Sequence, residues 1–132
     1  MKISFIGGGV MAEALIGGIL EARLAEGGAV KVGEPVQARR SHLEASYGLV
    51  TTANNRDVLD GARIVVLSVK PQNLPEVLAE LKGGIPADTA VASIVPGATI
   101  GDLSLGLGHE AIIRVMPNTP AQVRAGMSVW TA

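Results

Sequence analysis

The sequence predicts an α/β domain with a doubly wound, mostly parallel sheet and helices on both faces. Short apolar strands alternate with helical patterns along the chain, which is the order that parallel sheets with crossover helices require. Apolar residues make up 48% of the 132 residues and aromatic residues only 2%, so Ala, Val, Ile and Leu must fill the core. This composition is typical of strands buried on both faces. The length fits a single domain over residues 1–132.

The charge balance and the residue types exclude several classes of protein. The formal net charge is −1 and charged residues make up 17% of the chain, which excludes binding of nucleic acid through bulk positive charge. The chain contains no cysteine, which excludes disulfides, thiolate metal sites and a thiol nucleophile. The two histidines, His42 and His109, lack the spacing of a zinc-binding pair, so we expect no metal site.

The apolar N-terminal stretch is too short to serve as a membrane segment. Residues 2–6 run into three glycines, well short of the roughly 20 apolar residues that a membrane-spanning helix needs. The stretch also lacks the length and the cleavage site of a signal peptide. We therefore expect a cytoplasmic protein without membrane contact.

The first half of the chain is predicted to contain three strands. Residues 2–6 form the first strand, which leads directly into a glycine-rich segment. A helix follows over residues 11–22, in which Leu15 and Ile19 lie one turn apart on the apolar face. The next elements are a strand at 29–32, a helix from Pro35 to about residue 46 with the proline in its first turn, a strand at 49–51, and a short helix through Leu59 that Asn54 and Asn55 can cap.

The second half begins with the clearest strand of the sequence, at residues 64–69. This run is almost entirely Ile, Val and Leu, as in a strand buried on both faces, and Pro71 ends it. Leu74, Val77 and Leu81 then recur at helical spacing. The remaining elements are a strand at 90–94 ended by Pro96 and Gly97, a short helix at 99–105, a strand at 111–115, and a further strand at 127–130.

A glycine-rich loop joins the first predicted strand to the first helix. Residues 7–12 read Gly-Gly-Gly-Val-Met-Ala and fit the pattern G-x-G-x-x-A. Gly7 allows a tight turn, Gly9 lets the backbone approach a pyrophosphate, and Ala12 permits close packing of the helix on the strand. The amides at the start of the helix then face the anion. This context predicts a Rossmann-like, dinucleotide-binding fold; the alternative is an ordinary glycine-rich turn.

The residues after the second strand give opposing signals about the adenosine ribose. Glu34 alone points to NAD, because an acidic side chain there accepts hydrogen bonds from a free 2′-hydroxyl. Arg39 and Arg40 point to NADP, because guanidinium groups bind phosphate as a fork. The alternative for the arginines is a solvated helix face paired with Glu44. The arginine pair favours NADP, and NAD stays open.

Three further strand ends carry candidate site residues. Lys70 follows the fourth strand and can reach a ribose hydroxyl or a phosphate, unless it is an ordinary surface lysine. Residues 93–97 follow the fifth strand and are expected to approach the nicotinamide. Residues 114–120 follow the sixth, and their two prolines stiffen a loop that offers Asn118 and Thr119. This loop is interpreted as a substrate-positioning feature, the alternative being a proline-terminated turn.

Taken together, these segments resemble the N-terminal domain of the pyrroline-5-carboxylate reductase family. The resemblance covers essentially the whole chain and rests on residues 6–16, 69–71, 93–94 and 114–121. The glycine loop alone is shared by many dehydrogenases. The Val-Lys-Pro and Met-Pro-Asn-Thr-Pro segments are what make the resemblance specific.

The resemblance implies NAD(P)H-dependent reduction of 1-pyrroline-5-carboxylate to L-proline, in proline biosynthesis. Hydride passes from nicotinamide C4 to the imine carbon, and the cofactor rather than the protein supplies the chemistry. No residue is identified as a general acid, and Asn118 falls at the position of a substrate-side asparagine. The family's cofactor contacts fall on Ile6, Gly7, Gly8, Gly9, Val10, Met11, Glu34, Pro35, Asn55, Val69, Lys70 and Pro96.

Three features depart from the family pattern. Val10 stands where the family usually has a polar residue, and Pro96 where it usually has alanine, so two contacts near the cofactor are expected to differ. Family chains are also about twice as long, and their all-helical second domain forms the dimer and completes the substrate site. We therefore expect this chain to lack that helical domain and to be an incomplete catalytic unit, inactive or weakly active alone.

Two other functions stay open at this point. One is a related NADP-dependent reductase on the same fold, such as a hydroxyacid or coenzyme F420-linked dehydrogenase, although the Met-Pro-Asn-Thr-Pro loop disfavours it. The other is a non-catalytic domain that binds a nucleotide or a partner protein. In any of these cases, apolar residues near Met127 and Trp130 are expected to promote self-association or to dock the missing helical domain.

Overall fold

The computed structural model describes residues 1–116 and 128–129, and these residues form one seven-stranded sheet. The strands are β1 Ile3–Ile6, β2 Val30–Gly33, β3 Val50–Thr52, β4 Ile64–Leu67, β5 Ala90–Ser93, β6 Ile112–Met116 and β7 Ser128–Val129. Their order in the sheet is β3-β2-β1-β4-β5-β6-β7, in which β1 to β6 pair in parallel and β7 pairs with β6 in the antiparallel direction. The mostly parallel, doubly wound sheet predicted from the sequence is therefore confirmed.

Helices cover both faces of this sheet, because the side chains of each strand alternate between two apolar cores. The helices are α1 Val10–Glu21, α2 Gln37–Tyr47, α3 Leu74–Leu81 and α4 Ile100–Leu107, with 3₁₀ turns at Gly27–Ala29, Asn55–Val58 and Pro71–Asn73. One core packs α1 and α2 against strand residues such as Phe5 and Val66. The other core packs α3 and α4 against Ile6 and Leu67, which directly follow those two residues in the sequence.

The predicted start of the second helix and the predicted end of the fourth strand are each wrong by two residues. The second helix begins at Gln37 with Val36 as its N-cap, so Pro35 precedes the helix instead of occupying its first turn. This start is set by a side-chain contact, since the Val36 amide donates to the Glu34 carboxylate. The fourth strand ends at Leu67 and not at Val69, because the chain turns there toward the 3₁₀ turn that Pro71 begins.

Of the two asparagines predicted to cap the turn after β3, Asn54 is the cap and Asn55 is the first residue of the turn. Asn54 caps the turn after β3 by accepting the amide of Arg56 at 3.0 Å, although that turn is 3₁₀ and not α-helical. His109 is buried, with its Nε2 2.6 Å from the Thr89 carbonyl oxygen, which gives it a structural role. His42 is an exposed side chain on α2.

Residues 1–116 and 128–129 contain neither a membrane-spanning helix nor a metal-binding cluster. No helix in this part of the chain is long and apolar enough to cross a bilayer. The same residues contain no group of three or more His, Asp or Glu side chains placed to hold a metal ion.

Candidate functional site

A crevice lies at the carboxyl ends of the parallel strands, where the strand order reverses about β1. The chain leaves β1 toward β2 on one side and reaches β4 on the other, and ligands of open α/β sheets bind at such a switch point. The crevice consists of two adjoining cavities of about 550 and 390 Å³. Gly9, Ser68, Val69 and Lys70 line both cavities and therefore form the boundary between them.

The glycine loop lines the crevice at the place where the two cavities meet. Gly7 has a φ of 102°, and its amide donates to the Gly33 carbonyl oxygen at 2.8 Å. The Ser68 hydroxyl donates to the Gly7 carbonyl oxygen at 2.8 Å, which ties the loop to the end of β4. Gly9 is the N-cap of α1 and provides no side chain to cap the helix. The first amides of α1 are therefore left to an anion in the crevice.

Gly8, the middle glycine of the loop, is held on both sides by side chains from the segment after β2. Its amide donates to Glu34 Oε1 at 2.9 Å. Its carbonyl oxygen accepts from Arg39 Nε at 2.9 Å and from Arg39 Nη2 at 2.7 Å. The other Glu34 oxygen accepts the Val36 amide at 2.9 Å. These contacts fix the peptide groups around Gly8 before any ligand arrives, so the loop is preorganised.

Glu13 anchors the same arrangement from α1. Its carboxylate pairs with Arg39 at 2.8 Å, accepts the Tyr47 hydroxyl at 2.8 Å and lies 3.1 Å from His42 Nε2. Burial raises the pKa of this carboxyl, but the hydrogen bonds from His42, Tyr47 and Arg39 outweigh it and lower the pKa to about 2. The charged form of Glu13 therefore connects α1 to α2 directly behind the glycine loop.

The lowered pKa of Glu13 makes its contribution to stability depend on pH. The folded-state pKa lies below the ordinary value of 4.5, so the stabilisation is complete above about pH 5 and is lost as the pH falls toward 2. We expect Glu13→Gln to lower the free energy of unfolding by about 1–2 kcal/mol at pH 7 and by much less at pH 3. Urea denaturation at the two pH values checks this, with Glu44→Gln, an exposed position on α2, as control. An equal loss at both pH values would contradict it.

The two arginines predicted at the 2′-phosphate have other partners in the structure. Arg39 contacts Gly8 and Glu13, which replaces the alternative pairing with Glu44. Arg40 Nη1 donates to the carbonyl oxygens of Glu34 at 2.8 Å and of Pro35 at 2.9 Å. Neither arginine belongs to the described lining of the two cavities. A role at a 2′-phosphate stays a prediction.

Most of the other predicted site residues line the crevice. Ile6 and Gly8 are exceptions: the Ile6 side chain is fully buried in the core below the loop, and Gly8 belongs to the lining of neither cavity. Asn118 and Thr119 lie outside the described residues. The predicted residues that line the larger cavity are Gly7, Gly9, Glu34, Pro35, Asn55, Val69 and Lys70, and those that line the smaller one are Gly9, Val10, Met11, Val69, Lys70 and Pro96.

The lining also contains residues that the sequence patterns do not single out. Ser68 directly precedes Val69 and Lys70 at a strand end, so its position is a usable signal. Glu76 and Glu80 lie one turn apart on α3 and face the larger cavity. Their spacing is visible in the sequence, but a helix after a strand gives no sign that its polar side faces a ligand rather than solvent.

A model of a known protein family decides where the chain belongs. The family described as NADP oxidoreductase, coenzyme F420-dependent, matches residues 2–97. The chain belongs to this family. The matched residues include the glycine loop, β2, β4 and the segment that ends with Pro96, and so take in the two cavities except for Val115.

Curated relatives match the chain beyond residue 97. A pyrroline-5-carboxylate reductase from Synechocystis sp. is 38% identical over 132 residues, which is 100% of this chain and 49% of the relative. The enzyme of the same name from Escherichia coli is 37% identical over 98% of this chain and 49% of its own length. The chain thus spans about half the length of these relatives. The resemblance seen in the sequence is confirmed over the whole chain.

Solved structures give the same result in three dimensions. A pyrroline-5-carboxylate reductase from Coxiella burnetii superposes with a TM-score of 0.88 at 34% identity, covering 97% of this chain and 48% of that one. The Plasmodium falciparum pyrroline carboxylate reductase, solved with NADP bound, superposes with a TM-score of 0.77 at 30% identity. The match covers 93% of this chain and 44% of that one. A prephenate dehydrogenase from A. aeolicus, at 18% identity and a TM-score of 0.75, shares the fold.

Proposed function

We propose that this chain is the NAD(P)H-binding domain of a reductase that converts 1-pyrroline-5-carboxylate to L-proline. The observation that supports it most is the similarity of the whole chain to pyrroline-5-carboxylate reductases. That similarity includes residues 98–132, which the broader family model does not match. The switch-point crevice, with uncapped helix amides at its boundary, is the kind of site that such a dinucleotide requires.

The two cavities differ in chemistry in the way that the two halves of the cofactor differ. The smaller one is lined mainly by apolar side chains, including Met11, Ile94 and Val115. These side chains exclude water from a nicotinamide ring and leave its face available to the substrate. When bound, the dinucleotide supplies a hydride to the imine carbon of the substrate, whose ring nitrogen ends protonated. The larger, more polar cavity then receives the adenosine half.

Val10 and Pro96 define the nicotinamide side in this chain. Val10 is 71% exposed and lies in the lining of the smaller cavity, where its side chain offers no hydrogen bond. Pro96 is exposed in the same lining and has no amide proton. Both residues therefore hold the cofactor by shape and exclusion of water, and the hydrogen bonds come from the glycine loop and Lys70.

The substrate side of the proposed site extends beyond the described residues. Asn118 and Thr119 follow β6 and are proposed to contact the substrate. Because the chain spans about half the length of its relatives, we propose that a helical domain or a second copy completes the substrate site. Turnover needs the imine carbon held at hydride-transfer distance, so the chain alone should be inactive or weakly active. The proposal places the protein in the cytoplasm.

Two measurements on the purified chain test the proposed function. Calorimetric titration with NADH and with NADPH should show saturable binding of at least one of them at one site per chain. Addition of pyrroline-5-carboxylate to the complex should then oxidise the bound nicotinamide slowly and form proline. Absence of saturable binding of either dinucleotide would overturn the proposal. Turnover at rates ordinary for an enzyme would overturn the statement that the substrate site is incomplete.

Lys70 gives a prediction about the diphosphate. It is exposed and is the one basic side chain in the described lining of the two cavities. We expect Lys70→Ala to weaken the binding of NADH and of NADPH by about tenfold each. The substitution removes a cation beside the diphosphate that both dinucleotides share, and it removes nothing specific to the 2′-position. Titration of both dinucleotides checks this, with the exposed Lys82→Ala as control. A loss confined to NADPH would place Lys70 at the ribose instead.

A second candidate function follows from the description of the family. Its members are described as NADP oxidoreductases that depend on coenzyme F420, and the match covers residues 2–97. Such an enzyme would transfer hydride between the nicotinamide and a deazaflavin. Oxidation of NADPH by coenzyme F420 in the absence of pyrroline-5-carboxylate would favour this candidate. No reaction with F420, together with proline formation, would favour the first.

A further inference from the structure

The adenosine end of the crevice is acidic. Glu34, Glu76 and Glu80 all line the larger cavity. Lys70 is the one basic side chain in its described lining, and it lies at the boundary with the smaller cavity, beside the position proposed for the diphosphate. Three carboxylates therefore surround the part of the cavity that is left for the adenosine, and no cation in the described lining balances them there.

Asn55, which also lines this end of the cavity, is bonded to one of these carboxylates. Asn55 Nδ2 donates to Glu80 Oε1 at 2.7 Å, and a carboxylate can only accept, so the orientation of this amide is fixed. Its Oδ1 is buried and has no hydrogen-bond partner within the described part of the chain. One of the two amide hydrogens of Asn55 is thus directed at Glu80, so this side chain is held against one of the three carboxylates.

Glu34 is placed to accept hydrogen bonds from a ribose. The residue is 8% exposed, and the amides of Gly8 and Val36, each at 2.9 Å, hold the carboxylate at the edge of the cavity. The two oxygens of a carboxylate have about four acceptor positions, so the two amides leave room for hydroxyl donors. A ribose with free hydroxyls supplies such donors.

The positive charges that could balance a phosphate are directed elsewhere. Arg39 is committed to the Gly8 carbonyl oxygen and to Glu13 on the loop side. Arg40 lies across the backbone carbonyls of Glu34 and Pro35. Moving either guanidinium into the cavity would break hydrogen bonds of 2.7 to 2.9 Å that the structure already makes.

We infer that this site selects the dinucleotide whose adenosine ribose carries a free 2′-hydroxyl, and so prefers NAD(H) to NADP(H), with Glu34 as the residue that determines the choice. The 2′-hydroxyl donates to the Glu34 carboxylate. A 2′-phosphate carries a charge of about −1.5 to −2 and only accepts, so it meets three carboxylates without a donor of its own. This inference rests on the proposed function. It predicts the opposite order of affinity from the Arg39-Arg40 pair in the sequence.

Titration of the intact chain with NADH and NADPH at low ionic strength tests the inference. We expect NADH to bind about tenfold more tightly, with ADP-ribose and its 2′-phosphorylated form showing the same order. The difference should shrink as salt is added, because salt screens the repulsion between the partly exposed charges. Equal affinity, or tighter binding of NADPH, would overturn the inference and leave the proposed function in place. Binding of neither would overturn both.

A variant that removes one charge without touching the glycine loop sharpens the test. Glu76 is exposed, lines the cavity and takes no part in holding Gly8. Glu76→Gln should increase the affinity for NADPH by about threefold and leave the affinity for NADH unchanged. Glu34→Gln should lower the affinity for both dinucleotides, because the glycine loop loses an ionic acceptor. It should also abolish or reverse the preference for NADH. Glu110→Gln, exposed before β6, is the control. An unchanged ratio of affinities in Glu34→Gln would overturn the assignment of Glu34.

Discussion

Replacing Gly7 with alanine should lower the free energy of unfolding by about 3–5 kcal/mol. Two costs add at this position. The φ of 102° is one that residues with a side chain rarely adopt. A Cβ would also lie 2.9 Å from the Ser68 carbonyl oxygen and 3.2 Å from Val69 Cγ1, and the first of these is backbone that cannot rotate away. Urea denaturation of the two proteins measures the loss.

Gly48 provides the matched control for the prediction at Gly7. It ends α2 with a φ of 68°, and a Cβ there would meet nothing within 4 Å. Gly48→Ala therefore isolates the conformational cost and should lower stability by only about 1–2 kcal/mol. If Gly7→Ala lowered the free energy of unfolding no more than Gly48→Ala does, the glycine loop would not approach the end of β4 as closely as the structure shows.

The fold is predictable from the sequence because its strongest signals are local. Residues 64–67 are continuously apolar and β-branched for the most part, and a strand covered on both faces places every such side chain in a core. The glycine loop directly follows the strand that ends at Ile6, so the sequence order alone locates the switch point. These signals need no knowledge of which side chains meet across the fold.

The destinations of the charged side chains are not predictable in this way. The sequence predicts that Arg39 contacts a 2′-phosphate or Glu44, which lies five residues further along the same helix. In the structure, the Arg39 side chain instead contacts Gly8 and Glu13 near the start of the chain. The sequence predicts Glu34 as a cofactor contact, and the structure adds that it holds Gly8 and sets the start of α2. A long flexible side chain can satisfy its charge in several places, and tertiary packing decides among them.

Gly8 shows what the segment after β2 contributes to the site. A Cβ on Gly8 would lie 2.8 Å from Leu43 Cδ1, and its amide and carbonyl are bound by Glu34 and Arg39. The loop is therefore packed and hydrogen-bonded from the side opposite the crevice. Its rigidity comes from α2 and the segment after β2, so the same segment both holds the glycine loop and lines the larger cavity.

Replacing Gly9 with alanine should leave the fold intact and weaken dinucleotide binding by about 30- to 100-fold. Gly9 has an extended backbone, with φ −77° and ψ −167°, and a Cβ there would meet no protein atom within 4 Å. The free energy of unfolding should therefore change by less than about 1 kcal/mol. Gly9 lines both cavities, so the added methyl group would instead occupy the space in which a diphosphate approaches the amides of α1.

The contrast between Gly9 and Gly28 turns this expectation into a test of where the diphosphate lies. A methyl group added at Gly28 would also meet open space, but this residue lies in the 3₁₀ turn before β2, away from the crevice. Gly28→Ala should therefore match the parent chain in calorimetric titrations of NADH and NADPH, while Gly9→Ala loses affinity for both to a similar extent, since the diphosphate is common to the two. Parent-like binding by Gly9→Ala would mean that the phosphates do not approach the start of α1. In that event the anion would have to be held by Lys70 and the end of β4 alone.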